Sequence, residues 1–180
     1  GPHAEMYGYL GRKRDANFFM NIETITHRHN PWIFNNHTGV LRGYHTAAMD
    51  AYAHLAYKKP IRNLVAVHRI SDGPGVLAAS IDKGFAGDGL AAGQQLAATS
   101  FVSKVIVVVD KDVDVFNRAE VLSAIATRWQ PDPATLIIPH ARATFLEPST
   151  VKPRVTSKII IDATKQLPDE GGQIGRATRR

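Results

Sequence analysis

The sequence predicts a mixed α/β protein, and three observations predict it. Residues 17 to 27, NFFMNIETITH, alternate in character with a period of two. From residue 64 onward, short apolar runs take turns with stretches of helical periodicity. Between these textures lies an apolar stripe at helical spacing, from Tyr44 to Tyr57. Strand, helix, strand, helix, strand is the order of an α/β layer domain with parallel pairing.

Each element has its own reason. Phe18, Met20, Ile22 and Thr24 fall on one face of the first segment, with Phe19, Asn21, Glu23 and Ile25 on the other. That reads as a strand with one apolar and one mixed face. Asn30-Pro31 ends it, because a residue before proline is pushed towards extended or turn geometry. Residues 31 to 43 have no period and read as a loop. Ala48, Met49, Tyr52, Ala53, Leu55 and Ala56 make the helical stripe, and Lys58-Lys59-Pro60 closes it. The cations suit the C-terminal dipole and the proline bars continuation. LVAVHRI (64–70) and VLAASI (76–81) flank Ser-Asp-Gly-Pro-Gly, a hairpin candidate. A small-residue helix over 88–99 leads to the buried-looking strand KVIVVVD (104–110). The helix RAEVLSAIATR (118–128), with Asn117 as its N-cap, precedes strands at LIIP (136–139) and SKIIIDA (157–163).

Composition narrows the function. The 180 residues are 44% hydrophobic and 21% charged, enough for one core or one core plus part of another. There is no cysteine, hence no disulfide framework, thiolate metal site or cysteine nucleophile. No run approaches the ~18 apolar residues of a membrane span, and no signal-peptide core is visible, so the cytoplasm is the expected location. The net charge of +6 suggests an anionic partner, but Arg176, Arg179 and Arg180 put much of the excess in the tail. No pattern of a nucleic-acid-binding module is present, so nucleic acid is not an expected partner.

Three motifs have plain structural readings. Gly87, Gly89 and Ala92 fit a degenerate GxGxxA fingerprint, with Asp110 about twenty residues on. Residues 82 to 86 separate that glycine from its strand, so a glycine-rich loop entering a helix accounts for it better. Asp110, Asp112 and Asp114 resemble the start of a calcium loop, but Val115 and Val121 stand where its Gly and Glu belong. His27, His29, His37 and His45 could form a metal cluster, though no nearby carboxylate completes the set.

The remaining signal is a resemblance. GPHAEMYGY followed by ITHRHNP, then SKVIVVVDKDVDVFNRAEVLSAIATR, then IIPHARATFLEPS with TSKIIIDATKQLP together resemble the UbiD family of decarboxylases, which use prenylated FMN. The blocks cover nearly all of the chain in the right order.

The resemblance implies that residues 1–42 are the C-terminal strands of a flavin-binding split β-barrel. Residues 43–59 would be a linking helix and 60–180 a C-terminal α/β domain. It implies prenylated FMN as cofactor, with a divalent metal (Mn or Mg) and potassium bound mainly upstream of this chain. Glu5 matches the second Glu of the family's Glu-Arg-Glu network and would be the proton donor. Lys104 matches a lysine expected near the cofactor, and Thr144, Phe145 and Leu146 fall where substrate-pocket residues stand. No metal ligand is expected within the chain itself. The implied partners are a small aromatic or α,β-unsaturated carboxylic acid, the N-terminal part of the same enzyme and further copies in a homo-oligomer. The opening Gly1-Pro2 is then the point at which a longer polypeptide is cut, with a tag-cleavage scar as the competing reading. Against the enzyme reading stand two others: a nucleotide-binding module using the Gly87–Gly89 loop, and a non-catalytic assembly domain.

Overall fold

The computed structural model describes Tyr7, Tyr9 and residues 18–33, 47–70, 75–150, 152 and 154–171. Within them the order is α1 (Ala47–Lys58), β1 (Leu64–Arg69), β2 (Val76–Ile81), α2 (Asp88–Thr99), β3 (Val105–Asp110), α3 (Arg118–Arg128), β4 (Thr135–Arg142) and β5 (Val155–Ala163). The strands form one mixed sheet in the order β1-β2-β3-β5-β4. β2, β3 and β5 run parallel, and the edge strands β1 and β4 are antiparallel to their neighbours. The expected mixed α/β fold, with its hairpin and its parallel pairs, is what forms.

The central strand shows why the sequence takes this shape. β3 is apolar except for its last residue because both its faces are covered. Ile106 and Val108 join the core under α1 and α2, while Val107 and Val109 join the core under α3. The period of two thus feeds two layers at once. Asn117 caps α3, its side chain accepting from Ala119 N at 3.1 Å.

Helix α2 lies close on the sheet, and its glycines permit this. A Cβ on Gly93 would stand 2.2 Å from Cγ2 of Ile160, and one on Gly89 2.2 Å from Oδ2 of Asp162. β5 in turn matches charge to the helix ends. Lys158 Nζ donates to Ala97 O at 2.6 Å and to Ser100 O, both at the C-terminal end of α2, while Asp162 sits by its N-terminal end. Cation at the carbonyl end and anion at the amide end is the arrangement a helix dipole favours.

One expected element is not found. Residues 18–33 form no strand and lie exposed, with Phe19 87% and Trp32 91% accessible. An alternating pattern supplies an apolar face, but a strand also needs a neighbour for its ladder, and the described residues offer it none.

Candidate active-site cavity at the amino end of β3

Lys104 stands immediately before β3, and three backbone hydrogen bonds fix its position. The amides of Lys104 and Val105 donate to Gly75 O at 2.7 and 3.0 Å, and Ile159 N donates to Lys104 O at 2.9 Å. Its side chain reaches the loop after β4. There Nζ donates to Glu147 Oε1 at 3.1 Å and to Ser149 Oγ at 2.8 Å. Glu147 is only 5% exposed. Burial raises its carboxyl pKa, but donation from Ser149 Oγ (2.6 Å), Ser149 N (3.0 Å) and Lys104 outweighs this and leaves the pKa below the ordinary carboxylate value. Glu147 is therefore an ionised carboxylate held by donors on Oε1 alone. Its buried Oε2 accepts no hydrogen bond among the described residues.

These groups border an open cavity of about 300 Å³, lined by Tyr7, Tyr9, Gly75, Lys104, Glu147, Pro148 and Ser149. Tyr7 is anchored to the rim by its hydroxyl, which donates to Val102 O at 3.4 Å. The cavity thus offers an ammonium already paired with a carboxylate, a serine hydroxyl and two phenol rings. The phenol rings suit a ligand with an aromatic body, and the paired Lys104 keeps one donor for a polar end of it.

The expected site residues divide across this picture. Lys104 lines the cavity. Thr144, Phe145 and Leu146 lie in the adjoining loop and do not line it: Thr144 is buried and its Oγ1 accepts from Leu146 N at 3.3 Å, whereas Phe145 is half exposed. Glu5 lies outside the described residues, although Tyr7 two positions on does line the cavity. Glu147 and Ser149 escaped the sequence reading. Their signal was an acid beside a proline and a serine in an otherwise apolar loop, FLEPS.

The opposite end of the sheet explains the acids of the Asp110–Asp114 run. Arg128 NH1 reaches Asp110 Oδ2 at 2.8 Å and Asp112 Oδ1 at 2.9 Å, while NH2 reaches Asp112 Oδ2 at 3.0 Å. Lys165 adds Nζ to Asp112 and its backbone amide to Asp110, each at 2.7 Å. Burial raises the Asp112 carboxyl, but Arg128 and Lys165 outweigh it and lower the pKa to about 2. Burial prevails at Asp110 and raises its pKa, against the Lys165 amide and Arg128. These ions tie the ends of β3, α3 and β5 together rather than waiting for a ligand.

The glycine loop is likewise occupied. Asp88 Oδ2 accepts from the amides of Gly84 and Phe85 at 2.9 and 3.1 Å, and Glu170 Oε1 accepts from Gly87 N at 3.3 Å. A nucleotide phosphate would meet carboxylates where it needs free donors. Buried Lys83 joins the same end, its Nζ donating to Thr164 Oγ1 and Lys165 O at 3.0 Å and to Glu170 Oε2 at 2.6 Å. Among the described residues no group of three or more His, Asp or Glu is placed to hold a metal, and His27 and His29 lie exposed. His37 and His45 lie outside the described residues. No helix among them is long and apolar enough to cross a membrane.

Comparison with known proteins shows the family. The sequence pattern of the 3-octaprenyl-4-hydroxybenzoate carboxy-lyase C-terminal domain matches residues 46–163. A phenolic acid decarboxylase from Sedimentibacter hydroxybenzoicus is 32% identical over 182 residues, covering 94% of this chain and 37% of its own length. The vanillic acid decarboxylase of the same organism, in its open form, superposes with a TM-score of 0.79 at 27% identity, over 100% of this chain and 39% of that one. The UbiD-class enzyme HmfF from Pelotomaculum thermopropionicum, solved in complex with FMN, gives a TM-score of 0.65 at 28% identity, over 74% and 29% of the two chains. An evolved dimeric form of that enzyme, solved with prFMN, gives 0.55 at 27% identity, over 67% and 26%. The chain thus spans little more than a third of the length of the curated decarboxylase it matches. With the profile match, the order of the three motif blocks and the fold in agreement, this chain belongs to the UbiD family of carboxy-lyases and carries that family's C-terminal domain.

Proposed function

We propose that the chain is the C-terminal part of a reversible, non-oxidative decarboxylase acting on an aromatic or α,β-unsaturated carboxylic acid through prenylated FMN. The observation that carries this reading is Lys104, a family-matched lysine that lines a cavity together with two tyrosines. The described residues fit one end of a flavin: an ammonium for the phosphate and phenol rings for apolar contact. In this proposal a divalent metal and potassium would be held mainly by residues upstream of this chain.

When bound, the cofactor supplies the electron sink that a carbanion-like centre requires after CO2 departs. The tasks of this chain's residues are simpler. Lys104 orients the anionic end of the cofactor, Tyr7 and Tyr9 limit water, and Glu5 delivers a proton to the carbon that has lost its carboxylate. Thr144, Phe145 and Leu146 belong to the loop next to the cavity and would bound the acid's ring or chain. Residues 1–42 complete the barrel and 43–59 link it to the α/β domain, in a cytoplasmic homo-oligomer.

The test is turnover of the full-length protein reconstituted with prenylated FMN. Hydroxybenzoic and cinnamic-type acids are supplied, and CO2 release is measured. Release that depends on the prenylated cofactor and is absent with unmodified FMN is the expected result. A protein that binds the cofactor fully yet releases CO2 from none of these acids would refute the reading.

A further inference from the structure

A carboxylate beside the proposed cofactor lysine poses a problem. Glu147 is buried and ionised, yet one of its two oxygens accepts no hydrogen bond among the described residues. A buried acid is ordinarily matched on both oxygens, so an unmatched one needs an explanation. Among the described residues the pairing of the Glu147 carboxylate runs through Oε1, where Lys104 Nζ, Ser149 Oγ and Ser149 N converge. Ser149 Oγ also accepts from the same ammonium, closing a ring of three side chains at the cavity wall.

We infer that Glu147 is a positioning residue that holds the Lys104 ammonium at the cavity for the anionic end of the flavin, with Ser149 as its support. The inference rests on the proposed role of Lys104 and deepens it. A lysine has a flexible four-carbon stem, and ordering it on binding costs rotamer freedom. Two of its three donors are already committed to Glu147 and Ser149, which fixes where the third points. A lysine held by a glutamate while it binds phosphate is the same device that orders the nucleotide phosphates in protein kinases. The negative charge of Glu147 opposes an incoming anion, so positioning must outweigh that repulsion. This gives the inference its sign.

The experiment is a double-mutant cycle on the full-length protein, read as the dissociation constants of FMN and of riboflavin, which lacks the phosphate. Glu147→Gln keeps the shape and removes the charge-assisted bond, so FMN should bind about tenfold more weakly while riboflavin binding stays as in the wild type. In a Lys104→Met background, Glu147→Gln should have no further effect on FMN. Ser149→Ala, which leaves the ion pair in place, should show a smaller loss with the same dependence on Lys104. Unchanged or tighter FMN binding in Glu147→Gln overturns the inference. So does an equal loss for riboflavin, or a loss that persists without Lys104, since either marks a merely structural acid. If Lys104→Met itself leaves FMN binding intact, the role proposed for Lys104 fails as well, and that outcome is distinct from failure at Glu147 alone.

Discussion

Lys158 is 3% exposed and points its ammonium at the last carbonyls of α2. Desolvation lowers its pKa from the ordinary lysine value. Exchange for methionine would relieve that desolvation but would leave the carbonyls of Ala97 and Ser100 without their donor. An unmet buried acceptor costs about 1–3 kcal/mol, so Lys158→Met should destabilise the fold, as a lowered urea midpoint. The sign with pH follows from the lowered pKa. The unfolded chain holds this proton to higher pH than the folded one, so wild type gains on Lys158→Met as pH rises from 8 towards the unfolded pKa of about 10.4. A flat difference across that range would mean that Lys158 is not desolvated. Glu5 belongs to the same scale. Glu5→Gln in the full-length protein should retain cofactor and lose about 10²–10⁴-fold in turnover, with Glu23→Gln as the control in an exposed segment. Wild-type turnover at full occupancy would remove Glu5 from the mechanism.

Among the elements, α2 is the one whose sequence is set by a neighbour. Alanine favours a helix over glycine by about 1 kcal/mol, so Gly93→Ala should stabilise an isolated α2. In the fold the new methyl would strike the buried Ile160, and overpacking of that kind costs about 1–3 kcal/mol. Net destabilisation measured by chemical denaturation is the expected result, and a more stable variant would show that α2 is free to lift. The ends of β3, α3 and β5 answer to acid instead. Asp112 is lowered to about 2 by Arg128 and Lys165, so its contribution is present above the unfolded value of about 3.9 and is lost as pH falls through about 2. The raised Asp110 acts in the opposite sense. Asp112→Asn should therefore flatten the fall in melting temperature between pH 4 and 2.5, and an unchanged slope would assign acid lability elsewhere. At this scale much was legible, because helices and strands announce themselves by local period. RAEVLSAIATR is a helix with Asn117 as its cap, and KVIVVVD is a central strand shortened only by its lysine. What local pattern did not reveal was who meets whom. Nothing in FLEPS says that its glutamate will find Lys104, 43 positions away, because sheet order alone brings the loop after β4 beside the start of β3.

The molecule as a whole leaves Phe18, Phe19, Met20, Ile22, Ile25, Trp32 and Ile33 exposed in one segment. Alternating apolar residues without a ladder partner among the described residues are what a strand looks like when its sheet is supplied by another part of the polypeptide. If residues 1–42 complete a barrel, the amides of 18–28 should resist hydrogen exchange in the full-length protein and exchange rapidly in the 180-residue chain. Rapid exchange in both would remove the barrel from the account. The same segment shows where reading by period fails: the apolar face was legible, its partner was not. Isotope exchange tests the proposed reversible carboxy-lyase chemistry on prenylated FMN most directly. Full-length protein loaded with the cofactor is incubated with its acid and ¹³C-bicarbonate, and the label in the acid's carboxylate is followed by mass spectrometry. Label should enter the carboxylate with wild type and stay near background with Glu5→Gln at equal cofactor occupancy. Full occupancy with neither label incorporation nor CO2 release would contradict the claim.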